Sequence, residues 1–218
     1  MTGTTSSPWG PDDYRFSHQP LLGTFVEIRI PSATEPELAE RVDRTVVAEM
    51  SRLQAVFSAY DTESELCRWR RGEVSQPSDD FSAAMRVALE WQQRSGGRFN
   101  TSTGVLTNLW RRAQANGSMP TTDDLASVAA SICEPRFSVD SDGRPHPVGD
   151  CSGVNLNAFA KGWIVDRAVE RARAVTPGTE FLVNAGGDLR HAGTSPIPIG
   201  IENPLRPYDN EPPLTVVR

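Results

Sequence analysis

Residues 155–192 read NLNAFAKGWIVDRAVERARAVTPGTEFLVNAGGDLRHA. Trp163, Val165, Ala168, Val169 and Ala172 recur at helical spacing, which predicts a helix over 162–174. Two short strands, 180–184 and 189–192, follow it, and the paired glycines Gly186 and Gly187 between them permit close backbone approach. A further strand is expected over 197–201.

Upstream the texture is mainly helical. Thr24–Ile30, TFVEIRI, alternates as a strand, with Thr24, Val26, Ile28 and Ile30 on one face and Phe25, Glu27 and Arg29 on the other. Pro36 then opens a long helix whose apolar positions are Leu38, Val42, Val46, Met50, Leu53 and Phe57. A second helix starts at Ser78, with Asp79 and Asp80 in its first turn, and stops at Gly96-Gly97. A shorter one follows Gly104, with Leu106, Leu109 and Trp110 turned inward, and another runs over 122–132. Around the turn Asp140–Gly143, Phe137–Val139 and Val148–Leu156 are expected to form a hairpin-like pair. Helices early and short strands late predict an α+β fold rather than regular βαβ alternation.

Composition excludes several functions. The 218 residues carry 22 basic and 28 acidic side chains, a net charge of −6. No basic block marks a nucleic-acid or anionic membrane surface, and no apolar run is long enough to span a bilayer. Lys161 is the sole lysine and is followed by Gly162-Trp163, so no P-loop exists. Cys67, Cys133 and Cys151 form no C-x-x-C pair and are expected to be reduced thiols of a cytoplasmic protein. His18, His146 and His191 have no metal-ligand spacing and read as surface or loop residues. Residues 1–16 show no secretory signal and are expected to be a disordered arm ahead of a domain over 17–218.

Four segments carry more polar detail than packing needs. They are Leu22-Gly23-Thr24, the loop from Ser58 through Tyr60 to Ser64-Glu65-Leu66, the run Phe99–Gly104 ahead of a helix, and the pair Asn155–Gly162 with Asn184–Asp188. A tyrosine in a polar loop offers a ring face and a hydroxyl, and hydroxyls ahead of a helix start suit phosphate or sugar oxygens. The sole lysine beside a helix start suits a phosphate or a polarised ring atom.

In this order the segments resemble the FAD:protein FMN transferases of the ApbE family, over about residues 21–217. The resemblance implies an ApbE-like, T-fold-related single α+β domain, with helices packed on an antiparallel sheet. It implies an enzyme that uses FAD and Mg²⁺ to place FMN on a Ser or Thr hydroxyl of an acceptor flavoprotein, releasing AMP. Carried over by position, Leu22 stands where the family has a Met against the flavin, and Tyr60 matches the tyrosine that packs on FAD. Thr101, Ser102 and Thr103 match a cofactor-contacting segment, Lys161 an FAD contact, and Asn155 a position where Asp is common. Ala158 matches the residue whose backbone carbonyl ligates the metal, and Gly186-Gly187-Asp188 matches a turn supporting the site.

Family members continue beyond the end of this chain, with motifs that supply the side-chain metal ligands and the base. None of these occurs here, so the resemblance implies half of a site and leaves the catalytic residues unassigned. The alternative is a catalytically incomplete relic that binds FAD or a partner. The apolar run Leu214–Val217 is further expected to be an unpaired strand that pairs with a partner chain or a second copy.

Overall fold

The alternation of Thr24–Ile30 (β2) sets the sheet: Val26, Ile28 and Ile30 are buried while Phe25 is exposed. The structure, a computed structural model, describes residues 9–206 and 211–217. The chain divides into two compact units, one from Met1–Val46 with Ala168–Arg218, the other from Val47–Arg167.

The first unit is built on a four-stranded antiparallel sheet. With β1 (Tyr14–Leu21), β5 (Phe181–Ala185) and β6 (Asp188–Ala192), its strand order is β1-β2-β5-β6. One face, from Val26, Ile28, Ile30, Phe181, Val183 and Ala185, is fully buried. So are Val42 and Val46 of α1 (Pro36–Phe57), and Ala168, Val169 and Ala172 of α6 (Asn157–Val175), which belong to this unit. On the opposite face Arg29 binds the fully buried carboxylate of Asp13 at 2.7 Å and the carbonyl of Gly10 at 3.1 Å.

The expected arm therefore ends earlier than residue 16. Residues 1–8 lie outside the described residues, but Tyr14–Phe16 are in β1, paired with Ile28–Ile30. β1 is an outer strand with only Leu21 buried. Its backbone pairing and the Arg15–Glu27 contact hold it, so no apolar alternation advertises it.

The second unit is helical. It holds the C-terminal part of α1, α2 (Glu65–Arg70), α3 (Asp79–Arg94), α4 (Gly104–Ala115), α5 (Thr122–Ser131), the hairpin β3 (Phe137–Val139) and β4 (Pro145–Pro147), and the start of α6. Its core is aromatic. Phe81 stacks on Phe57 at 6.3 Å and tilts against Trp69 at 5.5 Å, and Trp69 meets Phe137 edge-on at 6.1 Å. The Trp69 indole N–H donates to the Pro145 carbonyl, which satisfies the one polar atom this ring buries. Ser64 caps α2 by accepting from the Cys67 N–H, and Glu65 receives both the N–H and the hydroxyl of Ser78, the cap of α3.

Three sequence expectations change. The second hairpin strand is Pro145–Pro147, not Val148–Leu156. Asp140 accepts from the N–H groups of Asp142 and Arg144, and this tight turn fixes the register immediately. The two prolines are tolerated because the hairpin has only two strands. Trp110 is 43% exposed, and Ala113 is the one buried residue of α4. Leu214 does not open an unpaired strand, since β8 (Thr215–Val217) pairs antiparallel with β7 (Ile199–Ile201).

Candidate functional site

Within the sheet unit, two tight turns lie side by side. Leu22 and Gly23 link β1 to β2 with φ of 55° and 69°, the signature of a two-residue I′ turn. Gly186 and Gly187 link β5 to β6 in the same way, with φ of 56° and 95°. The Gly186 N–H donates to the Phe25 carbonyl at 3.1 Å, and a Cβ at Gly186 would collide with the Thr24 hydroxyl. Asn184 Oδ1 accepts from the Gly187 N–H at 3.0 Å. The structure thus brings Leu22-Gly23-Thr24 and Asn184–Asp188 to one end of the sheet.

Within the helical unit, the other segments converge. The Thr101 carbonyl accepts from the Asn155 N–H at 2.8 Å, and the Gly104 N–H donates to the Gly153 carbonyl at 3.0 Å. Gly104 is required there, because a Cβ would sit 2.5 Å from the Gly153 oxygen. The starts of α4 and α6 are thereby tied together, which juxtaposes two positive helix ends. Asn155 Oδ1 accepts from the Asn157 N–H, and Asn157 Nδ2 donates to the phenolic oxygen of Tyr60 at 3.0 Å. Tyr60 itself is 72% exposed, so one of its faces is available to a flat ligand.

The predicted residues take unequal positions. Thr101 is fully buried, and its N–H and hydroxyl both go to Gln92 Oε1. Ser102 is also fully buried, and its hydroxyl has no hydrogen-bond partner among the described residues. Thr103 opens α4 without a side-chain cap. Ala158 and Lys161 lie inside α6, which begins at Asn157 rather than at Gly162. The Asn155 side chain provides the early start, and Gly162 is tolerated mid-helix because its surroundings are open.

Sequence reasoning gave Asn157 no role of its own within Asn155–Gly162, and missed Gly153, Gln92 and Arg111, whose guanidinium lies 6.0 Å from the Tyr60 ring centroid. Only Asn157, two residues past Asn155, carried a local signal. Reasoning also missed a clamp at the far end of β5. Glu180 Oε1 accepts from the N–H groups of Thr194 and Ser195 and from the Ser195 hydroxyl. Glu180 Oε2 and His191 Nε2 are both buried without a hydrogen-bond partner among the described residues, and Gly193 packs against both side chains.

Among the described residues no group of three or more His, Cys, Asp or Glu gathers to hold a metal ion. Ala158 contributes a single exposed position in the first turn of α6. Mg²⁺ demands a near-octahedral set of oxygen ligands, so these residues do not fit it. No described helix is long and apolar enough to cross a membrane.

Residues 22–218 match the sequence profile of the ApbE family. The chain belongs to the ApbE family. Over 179 residues it is 26% identical to a Treponema pallidum (strain Nichols) protein named FAD:protein FMN transferase, an alignment covering 78% of this chain and 49% of that protein. The chain therefore spans about half the length of the curated relative it matches. Its fold is similar to that of the ApbE protein from Thermotoga maritima, with a TM-score of 0.78 at 20% identity over 94% of this chain and 67% of the other. It is also similar to the flavin transferase ApbE from Vibrio cholerae, with a TM-score of 0.68 at 23% identity over 88% and 64% of the two chains. These likenesses show the ApbE α+β fold, and the Leu22 and Gly186 turns both lie inside the matched region.

Proposed function

We propose that this chain binds FAD and serves transfer of FMN from it to a Ser or Thr hydroxyl of an acceptor flavoprotein. In that reaction the acceptor oxygen bonds to the FMN-side phosphorus, the bond between that phosphorus and the bridging oxygen breaks, AMP leaves with that oxygen, and the hydroxyl loses its proton. The observation that carries the reading is the Tyr60–Asn157 contact at the joined starts of α4 and α6. An exposed phenol ring held by its hydroxyl suits a flavin or adenine face, and two helix starts suit a diphosphate. The name of the Treponema pallidum relative, FAD:protein FMN transferase, supports the same substrate.

The roles follow from chemistry. Tyr60 stacks on the ring, and Asn157 fixes its hydroxyl. Thr103 and Asn155 offer a hydroxyl and an amide for phosphate and sugar oxygens, and Lys161 adds positive charge. Mg²⁺ would neutralise diphosphate charge when bound. The single Ala158 carbonyl is too small a ligand set for it. The three free cysteines support the reading of a cytoplasmic protein.

A second reading is flavin binding without turnover. It is favoured by the absence of a metal-holding cluster among the described residues. One experiment separates the two. The chain is incubated with FAD, Mg²⁺ and an acceptor domain that an intact ApbE transferase labels. An FMN mass increment on the acceptor supports transfer; an unlabelled acceptor with retained FAD binding contradicts transfer and leaves binding.

A further inference from the structure

Arg111 differs from the other arginines that cover an aromatic ring: Arg29, 5.4 Å from the Trp9 ring, is tied to the buried Asp13 carboxylate. Arg94 lies 4.9 Å from the Trp91 ring and Arg167 4.9 Å from Trp163, each on the same helix as its ring, one turn away. Arg111 comes from α4 to a loop distant in sequence, and it stops farther off, at 6.0 Å. Among the described residues no carboxylate pairs with it, whereas Arg52, Arg71 and Arg94 each hold one. α4 has little packing need for this side chain, since only Ala113 of that helix is buried.

We propose that Arg111 and Tyr60 form a two-sided slot for the planar ring of the bound flavin, guanidinium on one face and phenol on the other. This rests on the reading that FAD binds at Tyr60. Two stacking contacts of about 3.5–4 Å each need roughly 7–8 Å between the jaws. The present 6.0 Å is therefore too long for a close stack of the two side chains and short of the slot by about 1–2 Å. An exposed arginine without an ion pair closes that gap by a rotamer change, while Asn157 keeps the phenol in place. A planar guanidinium stacks on an aromatic face where an ammonium does not, which makes arginine the residue suited to this jaw. It also brings positive charge to a ligand that carries two phosphates.

The test uses the full 218-residue chain and the variants R111A, R111K and Y60A, titrated with FAD and with riboflavin by flavin fluorescence and calorimetry. Riboflavin has the ring and no phosphate. The slot predicts that R111A weakens both ligands by about 3- to 30-fold, the range of a cation–π contact. R111K is expected to restore little of the riboflavin affinity, and all variants should keep the wild-type circular dichroism spectrum. Loss of FAD affinity alone, with riboflavin unchanged, would overturn the slot and make Arg111 a phosphate contact. R111A binding both flavins like wild type, while Y60A loses them, overturns the slot and leaves the Tyr60 reading intact. A wild-type chain that binds neither flavin overturns both.

Discussion

Asn157 donates its side-chain amide to the Tyr60 hydroxyl at 3.0 Å, joining the first turn of α6 to a loop 97 residues earlier. Both residues are exposed, so the contact adds little to folding and much to where the phenol ring points. Asn157→Ala removes one neutral hydrogen bond, about 0.5–1.5 kcal/mol. It is expected to weaken FAD binding roughly 3- to 10-fold with only a small fall in melting temperature, checked by titration and by thermal unfolding.

Gly104, at the start of α4, and Gly162, inside α6, should answer oppositely to alanine. Gly104→Ala places a Cβ 2.5 Å from the Gly153 carbonyl, backbone that cannot step aside. Overpacking of this kind costs about 1–3 kcal/mol. Gly162→Ala meets nothing within 4 Å inside a helix, so it should stabilise by about 0.5–1 kcal/mol. Chemical denaturation of both variants checks the pair.

Much of the fold was legible because apolar period reports burial directly. Val26, Ile28 and Ile30 in β2, and the α1 row from Val42 through Val46, Met50 and Leu53, are all fully buried. Elements held by backbone pairing or caps left weaker traces. β1 carries one buried residue, β4 contains two prolines, and α2 is a six-residue helix whose signal is the Ser64 cap. In the candidate site, glycines and hydroxyls before helix starts were visible as types in sequence. Which of them face outward was not, because Thr101 turns to Gln92 through a contact that no spacing rule reports. Arg111 reaches Tyr60 only once α4 is packed.

Leu22 is the one described non-glycine residue with positive φ, at 55°, a conformation that costs a β-carbon-bearing residue about 1–2 kcal/mol. Leu22→Gly should raise stability by about 1 kcal/mol, a melting shift of about 2–4 °C for a chain of this size. Thermal unfolding of the variant beside wild type checks the sign.

Stability should fall on acidification from neutral pH. Burial pushes the Glu180 carboxyl up, but hydrogen bonds from Thr194 N–H and Ser195 outweigh it and hold it below the ordinary range. Burial also holds His191 below its ordinary value, with the Glu180 charge opposing. Both folded pKa values lie below the unfolded ones. Their stabilising contributions are therefore complete above about pH 6.5 for His191 and about pH 4.5 for Glu180, and are lost as pH falls through the lowered values. His191→Gln should flatten the upper part of the pH profile of unfolding and Glu180→Gln the lower part. A stability that rises between pH 7 and 5 would contradict this assignment.

The central claim is that the Tyr60 cluster of this ApbE-family chain is a flavin site. The most direct measurement is an equilibrium titration of the 218-residue chain and its Tyr60→Ala variant with FAD, followed by flavin fluorescence. The account predicts saturable binding by wild type and at least a ten-fold loss in the variant, the scale of about 1–3 kcal/mol for one aromatic–ring stack. Equal FAD binding by the two proteins, or none by wild type, would contradict it.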